Sequence, residues 1–306
     1  MPFTLQQLRY FVTAAELGSV TGAARELSIS QPSVSAAIRK LEDQFGAQFV
    51  LRHHAQGISL TAAGRRFMSH ARSLLAQAQA LESDTRGLGG DLGGSLELGC
   101  YFSFAPFLLP GLLRGFSQDH PDVTLRLREN DHESLRRDLE SGAIEVALLY
   151  DLGLGQDLTV EPLAELLPYA LLPIDHPLAR APTVALRDLA REPMILLDLP
   201  TTREYFLTRF RALGLDPVIG LRTTSYETIR GLVANGLGYS VLVMRPYGDR
   251  AYDGRRLACR PIAEPVPPTR IVLARSAAIR PSPVVEAFAA LARAYVPAAI
   301  SGTTPE

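Results

Sequence analysis

Leu5, Leu8, Phe11 and Ala15 recur at helical spacing, and this stripe predicts a first amphipathic helix ending near Gly18. Ser19 stands where an N-cap belongs, ahead of a short second helix over 20–27. Ser30 caps a third, whose apolar positions Val34, Ile38, Leu41 and Phe45 share one face. Pro32 is tolerated there because the first turn has no intrahelical partner for the N–H it lacks. Short alternating stretches at 48–51 and 58–60, split by Gln56-Gly57, read as a small β-wing. From Thr61 to about Asp84, a long helical pattern carries Phe67, Ala71, Leu74, Ala78 and Leu81 at the spacing of a coiled-coil seam. A surface helix packed on its own domain is the plainer reading. With no neighbouring element expected to cover the seam, a partner chain is favoured, and these five are the candidate dimerisation residues. The pattern ends in TRGLGGDLGGS, a glycine-rich stretch that reads as a flexible hinge and a domain boundary.

Beyond the hinge, strands over 95–101, 123–129 and 145–150 alternate with helices over 105–117 and 133–141. The rhythm resumes with strands over 194–197, 218–223 and 239–243 and helices over 203–213 and 226–235. A strand over 270–274 and a helix over 282–295 close the chain. This βαβ order predicts parallel sheet with helices on both faces.

The 306 residues suffice for two or three domains, and 47% hydrophobic with 21% charged residues is the composition of a folded chain. No apolar run approaches the ~18 residues that cross a bilayer. The first residues carry no basic-then-apolar signal, so the expected location is the cytoplasm, with no membrane partner. The net charge of -1 hides an asymmetry: residues 1–73 hold eight Arg/Lys against four acids, which is +4 and leaves -5 elsewhere. A basic end on an acidic body suits a chain in which one domain meets phosphate. Cys100 and Cys259 are too far apart in sequence for a local disulfide or zinc knuckle. Inert buried thiols are expected, no metal is expected, and a redox sensor using Cys100 is the alternative.

Residues 19–45, SVTGAARELSISQPSVSAAIRKLEDQF, describe a helix, a tight turn and a second helix. Ala23 and Ala24 are small enough for a steep crossing, and Ile29 can fill the turn. On pattern alone, three ordinary core helices are the competing reading. As a helix-turn-helix, Ser33, Ser35, Ala36 and Arg39 lie along the exposed face of the third helix. Gln31 at its start points into the major groove, where Gln and Arg can pair with base edges. Lys40, Arg52, His53 and His54 are placed to contact phosphates, which explains the adjacent histidines better than a metal does.

These residues resemble the LysR-type transcriptional regulator family. SVTGAARELSIS, SQPSVSAAIRKLE, the wing FVLRHH with GISLTAAG, and the linker helix match in order and spacing. The likeness continues through LLPGLLRGFSQDHPDVTLRL, EVALL, DHPLA at 175–179 and LVANGLGYSVLV. The resemblance implies an α/β chain with a winged helix-turn-helix over 1–60, a linker helix over 61–86 and a hinge over 87–94. A two-lobed, periplasmic-binding-protein-like effector domain over 93–306 follows, lobe one about 93–160 and 269–297, lobe two about 161–268. It puts Gln31, Pro32, Ser33, Ser35 and Arg39 at DNA-facing positions and Arg52 in the wing. Many members carry Arg where this chain has Ala36, so one base or phosphate contact is missing here. It further implies a homotetramer, a dimer of dimers, on an inverted-repeat site in double-stranded DNA. RNA polymerase is a further partner, and the chain takes a small-molecule effector and no cofactor.

Ser103 after the first strand, and Thr201 and Thr202 in the equivalent turn of lobe two, can hold a carboxylate. Simple N-capping explains the same residue types. Phe102, Phe104, Tyr150, Tyr205 and Tyr226 gather near strand ends, where aromatic walls suit a flat or apolar effector. Core packing explains each of them singly. The expected effector is a small aromatic or apolar carboxylate. His120, His132 and His176 raise an enzyme, yet there is no G-x-S-x-G, P-loop or H-E-x-x-H, and none is expected. A non-enzymatic solute-binding protein is the alternative, and it leaves the helical amino end unexplained.

Overall fold

The computed structural model describes residues 3–53, 57–86 and 92–301. The amino-terminal stripe folds into α1 (Leu5–Glu16), α2 (Val20–Glu26) and α3 (Gln31–Phe45). α1 opens on a reciprocal cap, in which the Gln7 N–H donates to Thr4 Oγ1 and the Thr4 N–H donates to Gln7 Oε1. Ser19 and Ser30 cap α2 and α3 by accepting from the Gly22 and Ser33 N–H groups. Leu8, Phe11, Val34, Ile38 and Leu41 close one buried core.

The wing is a hairpin of β1 (Val50–His53) and β2 (Gly57–Leu60), paired antiparallel from Val50–Leu60 to His53–Gly57. Its base is fastened to α3, because the Phe49 and Val50 N–H groups donate to the Glu42 carboxylate at 2.7 and 3.0 Å. Gly57 has φ +89°, and a Cβ there would stand 2.2 Å from the Gly18 carbonyl oxygen. Only glycine fits that approach.

α4 (Ala62–Arg86) follows, and it corrects the expected seam. Phe67 stacks on Phe49 at 4.1 Å and meets Phe11 edge-on at 5.2 Å, Ala71 is buried, and Leu74 packs on the same core. α1 lies against α4, so the first half of the seam is covered by its own domain. The cause is Phe11, which carries the core past α3. Ala78 is half-buried and Leu81 exposed. Farther out, Ser69 Oγ donates to the Glu140 carbonyl at 2.9 Å. Arg72 reaches Glu16 of α1 at 2.8 Å and Ser141 Oγ at 3.1 Å. Most of the expected hinge, 87–91, lies outside the described residues, as do His54 and Gln56.

The carboxyl-terminal part begins with β3 (Gly94–Tyr101), α5 (Ala105–Asp119), β4 (Val123–Asn130), α6 (His132–Glu140), β5 (Val146–Tyr150) and β6 (Leu158–Leu166). Next come β7 (Tyr169–Pro173), α7 (Leu186–Leu189), β8 (Met194–Leu197), α8 (Pro200–Arg211), β9 (Ile219–Thr223) and α9 (Tyr226–Ala234). β10 (Ser240–Leu242), β11 (Leu257–Pro261), β12 (Thr269–Ser276) and α10 (Pro283–Ser301) complete it. One sheet has the order β4-β3-β5-β12-β6. β3 is parallel to β4 and β5, but β12 runs antiparallel to both its neighbours. The expected parallel sheet is therefore mixed, because β12 returns from the other lobe and enters from the opposite end. β6 pairs with β12 through Leu166, so the chain leaves lobe one after that residue rather than near 160. Lobe two holds the antiparallel trio β10-β7-β11 and the parallel pair β8-β9, joined by a bridge between Met194 and Tyr239.

One further expectation changes. α10 is long and apolar enough, by length and composition, to cross a membrane. It packs instead against α5 and β6, with Val285, Phe288, Ala292 and Val296 buried. Its apolarity is that of a core helix.

Candidate functional site

Each helical residue turns by about 100°, so Pro32, Ser33, Ala36, Arg39 and Lys40 fall opposite Val34, Ile38 and Leu41. These five are exposed, as is Gln31 at the helix start. Ser35 is not, at 6% exposure. It stands one position on from Val34, at the margin of the packed stripe, and the expectation that it faces outward is corrected. Arg52 is exposed on β1, and His53, also exposed, shares a hydrogen bond with Ser59 Oγ at 2.8 Å. Glu42 near the end of α3 is turned to the wing base. The first three turns of α3 therefore carry no carboxylate. The ridge offers an amide, a hydroxyl and two cations, with the Arg52 cation on the wing beside it. Such a surface can fork to base edges and pair with phosphate.

The second site lies between the lobes, where strand ends of both sheets meet. Ser103, Tyr150, Thr202 and Tyr226 come together around a narrow cleft. Phe102 stacks on Tyr101 at 4.9 Å, and Phe102 and Thr201 stand outside the cleft lining. Phe104 is a core residue, and Tyr205 is buried with the Arg209 guanidinium 4.2 Å over its ring. Leu197, Phe206 and Met244 complete the wall and were not legible beforehand, although Phe206 lies one turn from Thr202 on α8. None of the lining side chains is charged.

Among the described residues, three side-chain contacts join the lobes. Tyr101 and Thr202 share a hydroxyl–hydroxyl bond at 2.6 Å, Phe107 meets Tyr226 edge-on at 5.9 Å, and the Tyr247 hydroxyl donates to the Ala299 carbonyl of α10 at 3.2 Å. Ser103 Oγ bonds the Tyr150 hydroxyl at 3.2 Å, while Tyr169 and Tyr226 both donate to the Met244 carbonyl. Burial pushes the Tyr101 hydroxyl up to about 12 and raises Tyr150 well above its ordinary value. These phenols are neutral hydrogen-bonding groups at physiological pH.

Cys100 and Cys259 are both buried and free. Burial, with the Glu129 charge adding to it, raises the Cys100 thiol well above its ordinary value. Burial pushes Cys259 up to about 11. A thiol held protonated is a poor nucleophile, so neither supports the redox alternative. Among the described residues, no three His, Cys, Asp or Glu side chains gather as a metal site.

Residues 5–65 match the family described as "Bacterial regulatory helix-turn-helix protein, lysR family", and residues 89–297 match "LysR substrate binding domain". The HTH-type transcriptional regulator YnfL of Escherichia coli is 35% identical over 247 residues, 79% of this chain and 82% of its own length. HinK, a LysR family transcriptional regulator from Pseudomonas aeruginosa, has a crystal structure 39% identical in sequence, with a TM-score of 0.65. That match covers 97% of this chain and 99% of HinK. Full-length OxyR from Pseudomonas aeruginosa, in a cysteine-to-aspartate form, is 29% identical with a TM-score of 0.77, covering 95% of this chain and 98% of its own.

Proposed function

The chain belongs to the LysR family of bacterial transcription regulators, and from that premise we propose that it reads an inverted-repeat promoter site with the exposed ridge of α3. As a member it is a non-enzymatic, DNA-binding regulator with an effector-binding domain. The observation that carries the finer reading is the carboxylate-free ridge of Gln31, Ser33, Arg39 and Lys40 beside Arg52. Gln31 and Arg39 read base edges, while Lys40, Arg52 and the two wing histidines, His53 and His54, hold phosphates and set the register. Two α4 helices pair through the part beyond Leu74, where Ala78 and Leu81 lie, and set two wings on successive major-groove faces. Two such dimers make a tetramer, acting in the cytoplasm with RNA polymerase as further partner.

Selection of binders from a random-sequence DNA pool tests this, with a palindromic consensus as the expected result. Arg39→Ala should weaken that consensus by roughly 1–3 kcal/mol and relax specificity at one position of each half-site. Because Arg39 is exposed, its thermal midpoint should not move. Fluorescence anisotropy against the consensus and its point variants reads both effects, and an unchanged specificity profile would remove Arg39 from base readout.

The effector sits in the interlobe cleft. Its hydroxyl lining and apolar wall suit a small aromatic or apolar body with one oxygen-bearing group, such as a carboxylate held by Ser103 and Thr202. The cleft is too narrow for such a body as it stands, so the lobes part to admit it. Thr202→Val keeps the shape but strips Tyr101 of its partner across the cleft. A buried hydroxyl left unpaired costs about 1–3 kcal/mol. The expected result is a lower thermal midpoint and faster amide exchange in α8 and β10, with DNA affinity spared. Unaltered exchange would show that this bond does not hold the lobes.

A further inference from the structure

A second recess lies away from the interlobe cleft, where α4 meets lobe one. It is partly open to solvent, and its walls include Arg72 and Gln77 of α4, Glu145, and Arg275, Ile279 and Arg280 from the end of β12 and the loop after it. Three guanidinium groups thus converge where, among the described residues, the lining has one carboxylate, Glu145. That carboxylate is already engaged, accepting from the Glu97 N–H at 3.2 Å and from the Ser282 hydroxyl. Burial raises its pKa, which weakens what counter-charge it supplies. Arg72 divides its donors between Glu16 and Ser141. The side chains of Arg275 and Arg280 make no hydrogen bond or ion pair among the described residues. A recess with excess positive charge and an apolar floor, to which Ile279 and Val285 contribute, selects for an anion with a short carbon body.

We propose that this junction binds a small organic anion, a carboxylate or phosphate monoester, forked by Arg275 and Arg280 with its apolar part on Ile279. The site is distinct from the interlobe cleft and does not depend on what that cleft binds. Its walls come from two bodies, α4 and lobe one, so the anion fits only while they touch. Occupancy therefore stabilises the arrangement in which Ser69 and Arg72 hold the end of α6. By linkage it shifts any DNA affinity that depends on that arrangement by the same factor.

The test titrates the full chain with butyrate and with propyl phosphate by calorimetry. The expected result is a saturable phase of one equivalent per chain for at least one probe, kept in the cleft variant Ser103→Ala/Thr202→Val and weakened about tenfold or more in Arg275→Gln/Arg280→Gln. Whichever probe binds more tightly identifies the headgroup. Arg280 is exposed and unpaired, so Arg280→Gln alone keeps the thermal midpoint and still weakens binding, which separates loss of the site from loss of the fold. Survival of that phase in the arginine double variant, its loss in the cleft variant, or no saturable binding of either probe would overturn the proposal.

Discussion

Ala36→Glu should abolish specific DNA binding and leave the fold unchanged. Ala36 lies at the middle of the exposed ridge, between Ser33 and Arg39, and touches none of the core. Glutamate is a good helix former, so α3 tolerates it at little cost in stability. Facing phosphate, its charge meets like charge in a poorly solvated groove, and such pairings cost several kcal/mol. A loss of about a hundredfold or more in affinity is expected, with an unshifted melt. Anisotropy and a thermal scan on the same preparation check the two halves. Full-strength binding by this variant would mean that another surface reads DNA. Ser35→Arg would be a poor substitute, since at 6% exposure it would fail through the fold and not through the contact.

Phe11→Ala should unfold the amino-terminal domain while the effector domain stays folded. The Phe11 ring is fully buried and meets Phe49 and Phe67 at 5.8 and 5.2 Å. Truncating such a ring costs about 3–5 kcal/mol, because the cavity it leaves closes only in part. Small domains have little stability to spare, and a loss of that size consumes most of it. The two cores share no residue, since the carboxyl-terminal cluster begins at Leu96 and the other ends at Ala71. Circular dichroism should show one transition lost or lowered and the other kept, together with loss of DNA binding. A single transition shifting as a whole would show that the two parts unfold as one unit.

Local rules made much of this legible. Ser19 and Ser30 announce their helices because an N-cap acts on residues two or three away, and the stripe from Val34 to Leu41 announces its buried face. Ser35 escaped because a helical face has a margin, and periodicity places a residue there only to within one position. The covered half of the α4 seam escaped for a different reason. Whether Phe67 and Leu74 meet a partner or α1 depends on a contact with residues more than fifty positions earlier. β6, β7 and β11 lack the flanking helices that mark the other strands, and β12 takes its direction from the path through lobe two. Ser103 and Thr202 were legible as strand-end hydroxyls, whereas Met244 joins their cleft only through the pairing of β10 with β7. The cavity between α4 and lobe one has no local signature, being made by residues some two hundred positions apart.

The central claim is that the outer edge of α3 enters the major groove. An iron chelate tethered to Ala36→Cys tests it most directly, because Cys100 and Cys259 are buried and only the introduced thiol is labelled. With the selected DNA, scission should concentrate inside each half-site. The same chelate on Tyr252→Cys, exposed in lobe two, should cut little. Equal or weaker cutting from the α3 tether would contradict the account.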